Sequence, residues 1–365
     1  MNYKLLFFSV FSFFILSCNK NNVDKTVISG NIPNLPDGTI YLYQDIYNNR
    51  IDSVRTKNGK FEINHQWKDN SEPAYLGIDH IDKNGVIRSF SFTTNAKYKG
   101  SGCNFQFFFS DSIVSIVGKM TEVKAKNIEL EPKYKLVTSS KISAGMQTKA
   151  LYNSDCDLFD NINVNSVKVI KEKILTYPYS YHLLYKIDDN KNSFSPQQTE
   201  DFLKSFKGDI TKSETYKKLA LYNEKRFNEK NIALPLLEDS NGKKSIILDP
   251  KYEKHFVVFW ASWCGPCRQE IPTLKEIYSE NNQSVEFISI SVDSDKNAWK
   301  KALNEEQMSW KQFIVNEKDP EYEKLQIRFR LNGAIPFTVL VDNNMKILKS
   351  SLGLSSKEEI ESMIK

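Results

Sequence analysis

The chain has 365 residues, of which 40% are hydrophobic and 26% charged, and its formal net charge at pH 7 is +5. A chain of this length suggests two or three domains, and its apolar content is sufficient for a hydrophobic core in each. Because the basic residues are interleaved with acidic ones and form no basic block, the composition gives no indication of nucleic-acid binding.

The first segment, residues 1–17, is predicted to be a signal peptide. Lys4 supplies the positive start, and the apolar run that follows is too short to span a bilayer comfortably. The motif Ile15-Leu16-Ser17-Cys18 resembles a bacterial lipobox, in which the signal is cut before a cysteine that then carries lipid. This resemblance implies lipidation of Cys18, with residues 18–26 as a polar tether to the membrane. An uncleaved anchor helix or a plain signal peptide is the alternative, and either one also puts the protein outside the cytoplasm.

The next section, residues 27–120, is predicted to form an antiparallel β domain. Short β-prone runs at residues 39–43 and 60–63 alternate with turn signals such as Asn58-Gly59 and Asn84-Gly85. This alternation is typical of strands joined by tight hairpin turns.

The middle section, residues 121–230, contains few glycines and is predicted to be mainly helical. Its best helical segments are residues 167–175, 197–206 and 214–227. The section contains Cys156, and the sequence leaves open whether this cysteine pairs with Cys103 or whether both are buried free thiols.

The last section, residues 231–365, has two cysteines where a strand ends and a helix begins. Residues 257–260 are β-branched or aromatic, which is typical of a buried strand, and apolar residues recur at helical spacing after the cysteines. The unpaired backbone N–H groups of a helix's first turn favour a negative charge, so Cys264 is predicted to ionise more readily than Cys267. The nearby positive charge of Arg268 acts in the same direction.

The rest of this section alternates between strands and helices. The sequence predicts, in order, a hairpin turn at 241–242 ahead of the strand that carries the cysteines, a strand at 285–292, a helix at 295–303, strands at 337–342 and 346–351, and a terminal helix after Ser355.

Spacing argues against several other uses of the Cys264/Cys267 pair. A structural zinc site needs four close ligands, and the four histidines are neither clustered nor regularly spaced: His65, His80, His182 and His255. Haem attachment requires a histidine directly after the second cysteine, where Arg268 stands. A static structural disulfide is the remaining alternative, but it is geometrically odd at a helix start beside Trp263. The sequence therefore predicts a redox dithiol without a metal or another cofactor.

The sequence Trp-Cys-Gly-Pro-Cys-Arg at residues 263–268 resembles the active-site turn of thioredoxin. The longer pattern at residues 259–272 is more similar to the membrane-tethered thiol:disulfide oxidoreductases of the TlpA/ResA type. This resemblance implies an α/β thioredoxin-like domain over residues 231–365, with a central mixed sheet flanked by helices and a cis-proline at Ile335-Pro336. Short motifs such as Ile28-Ser29-Gly30 also resemble a β domain of unknown function that often precedes such modules in secreted lipoproteins.

The resemblance also implies roles for individual residues. Cys264 attacks a substrate disulfide, Cys267 resolves the mixed disulfide, and Cys264–Cys267 is the disulfide of the oxidised form. Glu270 shuttles a proton to or from Cys267 in place of the buried aspartate of thioredoxins, whose position Val258 occupies. The alternative for Glu270 is an exposed glutamate favoured by the helix dipole. Pro336 completes the catalytic set, and the substrate chain is expected to contact the following neighbours: Trp263, Gly265, Pro266 and Ile335.

These features predict a membrane-anchored, extracytoplasmic lipoprotein of the Gram-negative periplasm that reduces protein disulfides. Its re-reduction by a membrane electron donor is implied by the family resemblance. Two other functions are weighed against this one: a binding or assembly module that uses the thioredoxin fold for docking, and a thiol peroxidase. The intact thiol pair, Glu270 and Pro336 argue against the first. A peroxidase generally has a lone cysteine in a threonine-containing loop, which the sequence around Cys264 does not resemble.

Overall fold

The computed structural model describes residues 24–45, 49–68, 71–124 and 131–365. The predicted signal peptide, the lipidation site Cys18 and the tether up to residue 23 lie outside the described residues. The chain divides into two compact units. The first contains the residues up to Asp160, Val169–Leu183 and Ser205–Ser213, and the second contains Asn161–Lys168, Leu184–Lys204 and Glu214–Lys365.

The first unit is built on one large sheet. Its strands are β1 (Lys25–Asn31), β2 (Gly38–Gln44), β3 (Arg50–Thr56), β4 (Lys60–Gln66), β5 (Tyr75–Asp82), β6 (Ile87–Tyr98), β7 (Ser101–Phe105), β8 (Phe108–Phe109), β9 (Ile113–Val123) and β10 (Tyr134–Ser143). Their order is β3-β2-β5-β6-β10-β9-β1-β4, with β7 beside β6 and β8 beside β5.

The tight turn between β3 and β4 closes this sheet on itself. β3 and β4 lie at the two ends of the strand order, yet only three residues of chain separate them. Asn58 and Gly59 have φ values of 52° and 71°, which are left-handed values that asparagine and glycine adopt at low cost. The sheet must therefore curl until its edges approach each other.

The sheet is mostly antiparallel, as predicted, but it also contains parallel pairs. β1 pairs with β9, and β6 pairs with β10, in parallel register. Turn signals reveal hairpins between neighbouring strands, whereas these pairs join strands that are far apart in the chain. The sequence pattern therefore could not indicate them.

β10 also corrects the prediction for the middle section, because it lies inside the range that was expected to be mainly helical. Its sequence is largely polar, and its strand conformation depends on pairing with β6 and β9. The helices after it are α1 (Met146–Tyr152), α2 (Val164–Thr176), α3 (Tyr181–Asp189), α4 (Pro196–Ser205) and α5 (Glu214–Phe227). The three predicted helical segments correspond to α2, α4 and α5, while α1 and α3 were not predicted. The domain boundaries near 120 and 230 stay predictions.

Cys103 and Cys156 form a disulfide within the first unit, with a Cα–Cα distance of 6.6 Å. The bond ties β7 to the segment that follows α1. It therefore answers the question that the sequence left open, and it gives this unit a cross-link that restricts the unfolded chain.

The second unit contains the cysteine-bearing strand and helix. Its further elements are β11 (Leu236–Asp239), β12 (Lys244–Ile246), β13 (Lys254–Trp260), α6 (Gly265–Asn281), β14 (Glu286–Ser291), α7 (Lys296–Glu306), β15 (Lys311–Ile314), α8 (Pro320–Phe329), β16 (Phe337–Asp342), β17 (Ile347–Leu352) and α9 (Lys357–Ile364). The sheet order is β12-β11-β15-β14-β13-β16-β17.

β13 is an interior strand of this sheet, parallel to β14 and antiparallel to β16. Every residue of β13 after Lys254 is buried, which explains why its sequence is an unbroken apolar run and does not alternate. The mixed sheet with flanking helices is the predicted α/β thioredoxin-like fold. β15 and α8 are additions to the predicted element order. Trp299 of α7 and Trp310, directly before β15, are buried.

α9 begins with a capping box. Ser356 Oγ accepts a hydrogen bond from the Glu359 N–H at 3.3 Å, and Glu359 Oε2 accepts one from the Ser356 N–H at 2.7 Å. We expect Ser356→Ala to lower the free energy of unfolding by about 0.5–2 kcal/mol, because it leaves an N–H group at the helix start without its acceptor. Urea denaturation measures this, with Ser362→Ala in the same helix as the control. Equal losses in the two variants would contradict the capping role.

Candidate active site

Cys264 and Cys267 lie at the start of α6, at the carboxyl end of β13. Cys264 is the N-cap residue, and its Sγ accepts a hydrogen bond from the Cys267 N–H at 3.2 Å. The two sulfurs form a disulfide, with a Cα–Cα distance of 5.3 Å. When the disulfide is reduced, this N–H group and the positive end of the helix dipole are available to stabilise a thiolate on Cys264.

The chain around the disulfide is open to solvent on one side. Trp263 is 69% exposed, and Gly265 and Pro266 are also exposed, whereas Cys264 is only 4% exposed. A side chain at Gly265 would meet nothing within 4 Å. A partner chain can therefore approach Cys264 from the side of these three residues.

The Ile335–Pro336 peptide bond is cis. β16 begins at the next residue, and its register pairs Phe337 with Phe259 of β13. Because β13 continues from Phe259 towards Cys264, Pro336 lies at the same edge of the sheet as the cysteines. Ile335 is half-buried and packs against the apolar cluster that contains both cysteines.

The segment that leads to Pro336 is held by residues from the middle section. Asn192 Nδ2 donates a hydrogen bond to the Leu331 carbonyl at 2.8 Å, and Asn332 Nδ2 donates one to Ser193 Oγ at 2.7 Å. Sequence reasoning gave the middle section no role in the site, and nothing in the local pattern around Asn192 indicates one.

Glu270 lies one turn after Cys267 on the same face of α6. It is 2% exposed, which rules out the exposed alternative. Its Oε1 accepts a hydrogen bond from the Ser355 N–H at 2.8 Å, whereas Oε2 is buried and has no hydrogen-bond partner among the described residues. Burial raises the pKa of this carboxyl above its ordinary value, although the Ser355 bond opposes the rise. The structure therefore favours a neutral carboxyl at this position over a wider pH range than usual.

Arg268 does not act as a free positive charge beside the thiols. Its Nε donates to Glu306 Oε1 at 2.7 Å, and its Nη2 donates to Glu305 Oε2 at 2.8 Å. Two carboxylates of α7 therefore offset its charge. The prediction that the charge of Arg268 helps to stabilise a thiolate is therefore corrected, since that charge is paired. The sequence alone could not show that α7 places Glu305 and Glu306 beside Arg268.

Asp293 is a site residue that sequence reasoning missed. It follows β14, is 2% exposed, and accepts hydrogen bonds from the backbone and side chain of Ser262, two residues before Cys264. A polar residue two positions after a buried strand could have drawn attention to it. Nothing local to Asp293 identifies Ser262 as its partner.

The histidines take no part in the site. His255 Nδ1 lies 2.6 Å from Glu286 Oε2, and Lys311 Nζ lies 2.5 Å from Glu286 Oε1, at the end of β13 and β14 away from the cysteines. Across the parts of the chain that the structure describes, no group of three or more His, Cys, Asp or Glu side chains is arranged to hold a metal ion.

Comparison with known proteins identifies two matching family models. Residues 253–347 match the model described as Thioredoxin-like, and residues 26–126 match a domain of unknown function, DUF4369. Both resemblances that the sequence indicated are thereby confirmed. The chain combines an N-terminal β-rich domain with a C-terminal thioredoxin-like domain.

Curated relatives match the C-terminal section. The thiol-disulfide oxidoreductase ResA of Bacillus thuringiensis (strain Al Hakam) is 28% identical over 131 residues, which cover 36% of this chain and 72% of that protein. ResA of Bacillus subtilis (strain 168) is 38% identical over 62 residues, which cover 17% of this chain and 35% of that protein. The similarity to proteins of the ResA type is therefore confirmed for this section.

Solved structures also match this section. The thioredoxin domain of a thiol-disulfide oxidoreductase from Bacteroides vulgatus is 26% identical and covers 35% of this chain and 91% of that chain, with a TM-score of 0.31. A thiol:disulfide interchange protein from Bacteroides sp. is also 26% identical and covers 35% of this chain and 84% of that chain, with a TM-score of 0.31.

Proposed function

We infer that this chain, whose C-terminal section is a thioredoxin-like domain similar to ResA, is a thiol-disulfide oxidoreductase that acts on protein disulfides. The observation that carries this inference is the Cys264/Cys267 pair at the start of α6, where the first sulfur already accepts a helix N–H and exposed chain lies beside it. A static structural disulfide needs neither feature.

The reaction begins with the reduced pair. The Cys264 thiolate attacks one sulfur of the substrate disulfide, so that a bond forms between Cys264 and that sulfur while the substrate's S–S bond breaks. The displaced substrate sulfur leaves as a thiolate and takes up a proton. Cys267 then attacks the Cys264 sulfur, which releases the second substrate thiol and leaves the Cys264–Cys267 disulfide. Two electrons have moved to the substrate, and a dithiol donor must return two to the enzyme.

Glu270 is proposed to move the proton at Cys267. Cys267 must lose its proton before it can attack, and it regains one when the disulfide is reduced again. The buried Oε2 of Glu270 has no hydrogen-bond partner among the described residues. Glu270 lies on the same face of α6 as Cys267. Because its pKa is raised, the carboxyl can both accept and return a proton within an accessible pH range.

The substrate chain is proposed to lie across the edge formed by Trp263, Gly265, Pro266 and the Ile335–Pro336 loop. The exposure of Trp263 supports a contact with apolar parts of the substrate. Asn192 and Ser193 form hydrogen bonds with residues 331 and 332, shortly before Pro336, which supports a role for this loop in aligning a substrate backbone with Cys264.

The proposed direction is reduction, at an extracytoplasmic membrane surface. The Gly265-Pro266 dipeptide is shared with reducing thioredoxins, whose potential is roughly −270 mV, whereas strong oxidants lie near about −120 mV. Anchoring through Cys18 in a Gram-negative periplasm belongs to the same proposal, and the lipobox-like motif supports the anchoring. A membrane electron donor is also part of the proposal and is supported by the resemblance to the TlpA/ResA type. Among the described residues, no helix has the length and apolar character needed to span a bilayer.

Trapping tests this function and identifies the substrates. In Cys267→Ala, Cys264 can still attack, but nothing resolves the product, so we expect mixed disulfides between Cys264 and client proteins to accumulate in cells. Non-reducing gels and mass spectrometry detect them, and the double variant Cys264→Ala/Cys267→Ala is the control. Equal adduct levels in the two variants would contradict the mechanism. They would instead favour the binding-module function.

A further inference from the structure

We propose that Asp293 is a positioning residue for Cys264, and that its buried negative charge restrains thiolate formation there and so keeps the cysteine pair reducing. This proposal deepens the proposed function and rests on it. The juxtaposition of Asp293 with Ser262, in the turn that leads to Cys264, carries the argument.

The Asp293 carboxylate holds the turn before Cys264 through hydrogen bonds. The Ser262 N–H donates to Asp293 Oδ2 at 2.8 Å, and Ser262 Oγ donates to Asp293 Oδ1 at 2.7 Å. Ser291 Oγ donates to Asp293 Oδ2 at 2.7 Å, and the Asp293 N–H donates back to Ser291 Oγ at 3.0 Å. One carboxylate therefore binds both the turn and the end of β14, which limits movement of the two residues between Ser262 and the helix.

The carboxylate of Asp293 is also a buried charge. Asp293 is 2% exposed. Among the described residues, the groups that donate hydrogen bonds to its carboxylate are the N–H and O–H of Ser262 and the O–H of Ser291, all of them neutral. A buried charge of this kind acts over several ångströms because little water screens it. The Asp293 carboxylate and a Cys264 thiolate are both negative, so the carboxylate opposes ionisation of Cys264. The start of α6 favours that ionisation.

The other charged or titratable groups around the pair do not remove this opposition. Arg268 is paired with Glu305 and Glu306, so this trio does not supply a net positive charge. Glu270 is buried with a raised pKa, which favours its neutral form. Asp293, which is hydrogen-bonded to the turn two residues before Cys264, is therefore the buried carboxylate to which we assign the opposition to the helix dipole.

The variant Asp293→Asn separates charge from geometry. An amide oxygen in the place of Oδ2 can accept from the Ser262 N–H and from Ser291 Oγ. An amide nitrogen in the place of Oδ1 can donate to Ser262 Oγ, whose hydroxyl is free to reverse its role. The hydrogen bonds of the turn are thus retained while the charge is lost. Ser262→Ala does the opposite, since it keeps the charge and removes one bond.

The test is the pH dependence of Cys264 alkylation by iodoacetamide in the reduced full chain, followed by mass spectrometry. We expect Asp293→Asn to move the midpoint about one pH unit lower, the scale of a nearby like charge, and to make the pair less reducing against glutathione. Ser262→Ala and Asp295→Asn, an exposed helix cap two residues further on, should leave the midpoint unchanged.

An unchanged midpoint in Asp293→Asn, or an equal shift in Asp295→Asn, would overturn the proposal. An equal shift in Ser262→Ala would also overturn it, because the effect would then come from geometry and not from charge. Alkylation does not require a protein substrate, so this result is independent of whether the wild-type protein reduces insulin. If the wild-type protein does not reduce insulin, that result counts against the proposed reductase function and not against the effect of Asp293 on Cys264.

Discussion

Cys264→Ser is expected to abolish disulfide reduction, with the rate of insulin reduction falling at least about a thousandfold to the background level. A serine hydroxyl stays protonated at neutral pH and cannot take the place of the thiolate that attacks the substrate. The start of α6 favours a negative charge but cannot create one on this hydroxyl. Insulin turbidity in the presence of dithiothreitol measures the rate.

The chain contains a matched control for this variant. Cys103 and Cys156 also form a disulfide, within the first unit and far from α6 in the sequence. The double variant Cys103→Ser/Cys156→Ser should lose stability, because a cross-link that typically contributes about 2–4 kcal/mol is gone, but it should keep its reductase rate. Full reductase activity in Cys264→Ser would show that the redox role has been assigned to the wrong cysteine pair. Loss of reductase activity in the Cys103→Ser/Cys156→Ser variant alone would show the same.

Glu270→Gln is expected to slow the reaction by about a hundredfold, the usual scale for loss of a general acid–base group. Glutamine can still accept the hydrogen bond from the Ser355 N–H, so the turn before α9 keeps its anchor while the transferable proton is lost. The pH dependence of the rate should lose one ionisation at the same time. Stopped-flow reduction of a small disulfide over a range of pH measures both effects.

The same substitution should change the pH dependence of stability. Burial raises the pKa of Glu270 in the folded state above its ordinary value of 4.5, so the folded protein holds this proton more tightly than the unfolded chain does. The resulting contribution to stability is present below pH 4.5 and is lost as the pH rises through the higher folded-state pKa. Glu270→Gln should lack this decline, while Glu276→Gln, at an exposed position of α6, should retain it. Identical profiles for wild type and Glu270→Gln would contradict the assigned burial effect.

Much of the thioredoxin-like section could be predicted because its signals are local. A buried strand is indicated by an apolar run, and a helix by apolar residues at helical spacing. The two residues of the capping box of α9, Ser356 and Glu359, lie within four positions of each other. The parallel pairs of the first sheet, and the strand β10, depend on contacts between distant segments. Their sequences carry no period or turn that indicates the partner.

The candidate site also has features that local sequence predicts and features that it does not. Cys264, Cys267 and Pro336 could be named because a motif places them, and Glu270 because of its position relative to that motif. The burial of Glu270, the pairing of Arg268 with α7 and the contact of Asp293 with Ser262 arise only when separate elements pack together. A pattern within one segment identifies a reactive group, whereas the charges that tune it come from other segments.

The reduction potential of the Cys264–Cys267 pair, measured by equilibration with dithiothreitol or glutathione buffers, distinguishes a redox-active dithiol from a structural disulfide. A two-electron couple near about −270 mV, together with insulin reduction, is the result expected of a reducing exchange centre. A reduction potential below about −300 mV, together with no reduction of any substrate, is the behaviour of a structural disulfide and would rule out a reductase role for this pair.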